Sequence, residues 1–147
     1  MRTIIFWYLP ICISLSRSRR PGALDEMIAS MRATNSGART TQEQLLNEVG
    51  AALTQAVRAL YLGDFHLALG LLLPLRYRIR AIGGSYAQRD LFAQMLITAA
   101  LKSGKFALAR SFLHERTALK PNSAQAWNWL AETLHGEGNA KDAGRTR

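Results

Sequence analysis

The chain has 147 residues and a formal net charge of +9, with 48% hydrophobic and 20% charged residues. This is enough apolar sequence for one domain with a real core, and it excludes both a disordered chain and a polytopic membrane protein. Cys12 is the single cysteine, which excludes an internal disulfide framework and a multi-cysteine zinc site and fits a cytoplasmic location.

The positive charge is spread along the chain. Residues 1–40 carry six arginines against Asp25 and Glu26, and residues 41–147 carry thirteen basic against eight acidic residues. It is densest at Arg17, Arg19 and Arg20 and again at Arg76, Arg78 and Arg80. A basic excess favours acidic partners in general.

The first stretch, Ile4 to Leu15, reads IIFWYLPICISL. It is apolar, but twelve residues interrupted by Pro10 fall short of the roughly twenty that a spanning helix needs. A secretory signal would place a small-residue cleavage site where SRSRR stands. Residues 1–22 are therefore read as lying outside the folded unit; an anchor with a cytoplasmic flank and a secretory signal are the other readings. Leu24, Ile28 and Met31 then suggest a short amphipathic helix, and TNSGARTT a linker, within residues 23–40 or just past them.

From Thr41 the chain becomes periodic. Thr41 and Gln44 fit a capping box, and Leu45, Val49, Ala52, Leu53, Ala56, Ala59 and Leu60 recur at helical spacing. Gly63-Asp64-Phe65 predicts a turn, after which Ala68, Leu69, Leu72, Leu73 and Leu75 form the apolar face of an antiparallel helix. Pro74 should kink that helix or divide it.

The turn recurs. Gly104-Lys105-Phe106 with Ala109 repeats Gly63-Asp64-Phe65 with Ala68, and Gly138 with Ala143 repeats the register again. Gly104 and Gly138 are 34 residues apart, the period of a tetratricopeptide repeat, whereas Gly63 and Gly104 are 41 apart, so seven residues are inserted, near Gly83 to Arg89. The alanines let the two helices of a pair approach, and Phe65 and Phe106 fill the grooves between pairs. Ser85 with Gln88 fits a second capping box, Pro121 closes a repeat, and Ser123 caps the next helix, whose apolar stripe is Trp127, Leu130, Ala131 and Leu134. The third hairpin is cut short, with a second helix only from Asn139 to about Arg145. The fold expected is all-α, a tetratricopeptide-like α-solenoid of about three antiparallel helical hairpins, the last incomplete, over residues 41–147.

The runs PLRYRI, GGS, AQRD and ERTALKPNS, in that order, resemble the C-terminal part of the tetratricopeptide repeat protein 38 family, closely over residues 71–123 and loosely back to about residue 45. The resemblance implies an α-solenoid and an interaction role, with no catalytic chemistry to carry over. Family members are much longer, with helices where this chain has its apolar start, so a fragment of a longer repeat protein is one expectation. Another is that loss of upstream repeats bares apolar area on the first helix of the repeat region and promotes self-association.

Candidate chemistry is sparse. The sequence has no phosphate-loop lysine motif, nucleophile elbow or dinucleotide fingerprint, and His66, His114 and His135 stand apart without HExxH spacing. No catalytic residue, cofactor or metal site is expected, and the glycine turn before Ser85 is explained by capping more simply than by anion binding. Arg76 and Arg80 share a helical face, with Arg58 on the preceding helix and Arg89 at the end of the insertion. Either this face receives an acidic peptide or phosphate groups, or its arginines pair with Asp90 or Glu115 of the next repeat. Trp127 is expected in the packing register, and Trp129, two positions on, as an exposed partner contact. The function expected is a non-enzymatic module that binds a peptide or partner helix. The alternatives are a membrane-tethered adaptor using residues 4–20 and a basic nucleic-acid binder, the latter disfavoured because aromatic residues for base stacking are scarce around the arginines.

Overall fold

The computed structural model describes residues 22–35, 40–79 and 85–145. Among them are six helices and no strand: α1 (Gly22–Asn35), α2 (Thr41–Leu62), α3 (Phe65–Arg78), α4 (Tyr86–Lys102), α5 (Phe106–Leu119) and α6 (Ala124–Arg145). The chain divides into two compact units, Met1–Phe92 and Ala93–Arg147. The apolar stretch Ile4 to Leu15 and the Gly83-Gly84 pair lie outside the described residues.

In the first unit α2 packs against α3, and α1 packs against α2. Val49, Leu53, Ala56, Val57 and Ala59 bury one face of α2, and Ala68, Leu69, Leu72 and Leu75 one face of α3. Leu73 is exposed, because it lies one position off that row. Thr54 is buried at no cost in unsatisfied polarity, since its hydroxyl donates to the Gly50 carbonyl at 2.9 Å. The expected bare edge on the first repeat helix is corrected in part: α1 lies against it, tied by the Arg58–Asp25 ion pair at 3.0 Å. Helix α2 also starts so that Thr40, one residue before the expected cap, supplies the carbonyl that accepts from the Gln44 N–H.

The hairpin turn follows from one glycine. Gly63 has φ +79°, a left-handed conformation that any Cβ penalises, and this lets the Gly63 N–H reach the Leu60 carbonyl and the Asp64 N–H reach the Ala59 carbonyl. Asp64 then caps α3 by accepting from the Leu67 N–H at 3.0 Å. Helix α3 runs unbroken through Pro74 rather than dividing there. The carbonyl that Pro74 leaves without a donor belongs to Gly70, and both residues are exposed, so water can satisfy it.

In the second unit the same turn reappears. Gly104 has φ +71°, its N–H donates to Leu101, and the Lys105 N–H donates to Ala100. Helix α5 packs against α6, with Ala109, Phe112 and Leu113 buried from one and Ala126, Leu130 and Thr133 from the other. The Arg110–Glu137 ion pair, 3.0 Å, joins the two helices, and Ser123 caps α6 as expected by accepting from the Ala126 N–H at 3.3 Å.

The third turn does not form. Helix α6 continues through Gly138 to Arg145, where the sequence register requires a break and a returning helix. Two differences account for this. Gly138 is followed by Asn139 and Ala140 where the real turns have a phenylalanine two positions on, so no large apolar side chain draws the chain back. Gly136 serves contact instead: a Cβ there would sit 2.7 Å from Cε1 and 2.9 Å from Cζ of Phe106. The ring of Phe106 therefore lies directly on the α6 backbone, which is how this phenylalanine fills its groove.

Candidate functional site

The described arginines named as candidates each have a partner within the chain. Arg58 of α2 meets Asp25 of α1 through Nε to Oδ1 at 3.0 Å and Nη2 to Oδ2 at 3.5 Å. Arg78 of α3 meets Glu48 of α2 at 3.1 Å. Pairing thus runs to the preceding helices for these two, not to Asp90 or Glu115. Two residues apart, Arg76 and Arg78 project from different sides of α3. All four side chains are about half exposed, so each pair contributes only about 0–1 kcal/mol and can exchange partners readily.

Arg76 and Arg89 are placed differently. The Arg76 guanidinium lies 5.4 Å from the centroid of the Tyr77 ring, and that of Arg89 lies 4.6 Å from the centroid of Tyr86, both within range of a cation–π contact. Each arginine also makes a further contact within the chain. The rings are the open part: Tyr77 is 77% exposed and Tyr86 87% exposed. Arg80 lies outside the described residues.

Tyr86 owes its position to the cap of α4. The Ser85 N–H donates to Gln88 Oε1 at 2.9 Å and the Gln88 N–H donates to Ser85 Oγ at 3.3 Å, the reciprocal capping box expected from the sequence. This fixes the helix start at Tyr86 and sets Tyr86 and Arg89 three apart on one face. Leu67 and Leu73 on α3, and Tyr61 and Leu62 at the end of α2, add exposed apolar surface to the same unit. Sequence reasoning misses both tyrosines; the spacing of Tyr86 and Arg89 is the signal that could have found one of them.

The two α6 tryptophans exchange the places expected for them. Trp127 is exposed, with its Nε1–H donating to the Pro121 carbonyl at 2.8 Å, whereas Trp129 is half-buried. The buried row of α6 is Ala126, Leu130 and Thr133, and Trp129 borders it. Ala131 and Leu134, assigned with Trp127 to the packing stripe, are also exposed.

His66, His114 and His135 are exposed. Among the described residues no group of three or more histidine, cysteine, aspartate or glutamate side chains is placed to hold a metal ion. None of the helices among the described residues is long and apolar enough to cross a membrane. No protein-family model and no solved structure matches the chain.

Proposed function

We propose that the chain is a non-enzymatic interaction module, a tetratricopeptide-like stack of the tetratricopeptide repeat protein 38 family, working in the cytoplasm. It binds an acidic peptide or the acidic flank of a partner helix. The observation that carries this reading is the pair of exposed tyrosines, Tyr77 and Tyr86, each with a guanidinium against its ring. Tyrosine and arginine are the residue types enriched at the centres of protein interfaces, and tyrosine offers broad, stiff area with a polar edge at little entropy cost on binding. The helical hairpin supports it by holding Tyr77 on a helix rather than a loop.

An acidic partner gains from Arg58, Arg76 and Arg89, because weak surface pairs such as Arg58–Asp25 can give way to its carboxylates. The test is cross-linking capture from cell extract with the full chain, side by side with the Tyr77→Ser/Tyr86→Ser variant. A partner recovered by the wild type should fall at least about tenfold in the variant, each interface tyrosine being worth about 1–2 kcal/mol. Equal recovery by both proteins would refute the assignment of this surface.

A further inference from the structure

The turn end of the first hairpin keeps an apolar surface that α1 does not reach. Tyr61 and Leu62, the last two residues of α2, are 58% and 62% exposed, and Leu67, in the first turn of α3, is 51% exposed. The Arg58–Asp25 ion pair fixes how α1 meets this end, because Asp25 lies in the first turn of α1 and Arg58 one turn before the end of α2. Tyr61 and Leu62 follow Arg58 by three and four residues and so share its face. The chain that precedes α1 therefore joins it beside these two side chains.

We propose that the apolar stretch Ile4 to Leu15 of the same chain is the cover of Tyr61, Leu62 and Leu67. Reach selects this occupant first. The six residues between the stretch and α1, SRSRRP, span up to about 20 Å when extended, whereas Arg58 and Leu62 are only about 6 Å apart along α2. Tethering selects it next: a linker this short holds the stretch at a local concentration on the order of millimolar, so a contact too small to hold a separate molecule suffices. Charge agrees with both. Residues 61–67 contain no lysine or arginine, and Asp64 is their one formal charge, so Arg17, Arg19 and Arg20 of the linker approach a carboxylate. A second copy would instead bring another +9 to the same place. Two apolar surfaces leave water together, the stretch and the hairpin end.

The cover uses neither Tyr77 nor Tyr86. Tyr77 lies about 15 Å along α3 from Leu67, so this inference and the peptide surface can fail separately.

Cys12 is the single cysteine and lies inside the stretch, so the rate at which iodoacetamide alkylates the full chain reports the cover. The wild type should react at least about tenfold more slowly than the same chain unfolded in urea at the same pH, at a rate independent of protein concentration. The Tyr61→Ser/Leu62→Ser/Leu67→Ser variant changes only exposed positions, and its fold is checked by circular dichroism. It should react at least about fivefold faster than the wild type. A wild type that reacts as fast as the unfolded chain would overturn the proposal. So would a variant as slow as the wild type, which would place the stretch elsewhere, and so would protection that is lost on dilution, which would assign the cover to a second copy.

Discussion

Leu72→Ala and Leu113→Ala should each cost about 3 kcal/mol of folding free energy, the largest single-residue losses expected in their respective units. Both side chains are fully buried, Leu72 on α3 of the first unit and Leu113 on α5 of the second. Truncating leucine at such a site removes the transfer free energy of three carbons and leaves a hole that close-packed helices fill only in part, about 2–5 kcal/mol in total. The controls lie one position and six positions away. Leu73 and Leu119 are exposed, and alanine at either should cost less than about 1 kcal/mol. Urea unfolding of the four variants reads the difference directly. If Leu73→Ala proved as costly as Leu72→Ala, the face by which α3 meets α2 would be wrongly assigned.

Gly136→Val and Gly138→Ala should move stability in opposite directions although the two glycines are two residues apart. At Gly136 any Cβ overlaps the Phe106 ring, 2.7 Å from its Cε1. Because Phe106 is only half-buried, its ring can yield toward solvent, but doing so gives up its seat on α6. A loss of about 1–2 kcal/mol is expected, less than the full range for an overfilled core because valine favours helix more than glycine does. A methyl group at Gly138 would meet nothing within 4 Å, and the residue lies inside the helix, so alanine there should add about 0.5–1 kcal/mol. Thermal melts of both variants check the signs, and Phe106→Leu combined with Gly136→Val should recover part of the loss if the ring contact is its cause.

Features set by local chemistry were legible in the sequence. Gly63 and Gly104 announce themselves because a left-handed cap is glycine's usual place, and the Ser85–Gln88 box and the Ser123 cap act over three residues. Gly138 shares that register but lacks what completes the signal, the phenylalanine that pulls the next helix back. The stripe on α6 was displaced by one position because the row that is buried, Ala126, Leu130 and Thr133, contains only one large apolar residue. Thr133 reads as polar, yet it is buried with its hydroxyl donating to the Trp129 carbonyl at 2.6 Å, and Trp127 drew the reading toward itself. The surface was the least legible. Arg58–Asp25 and Arg78–Glu48 join residues about thirty apart, and such pairing depends on which helices become neighbours.

The central claim is that of three glycines in one repeat register, two make turns and the third is carried inside a helix. Backbone chemical shifts of the full chain measure this in one experiment. They should show left-handed glycines and helix breaks at Gly63 and Gly104, with unbroken helical shifts from Ala124 through Gly138. A break at Gly138 with a helix returning after it would contradict the claim.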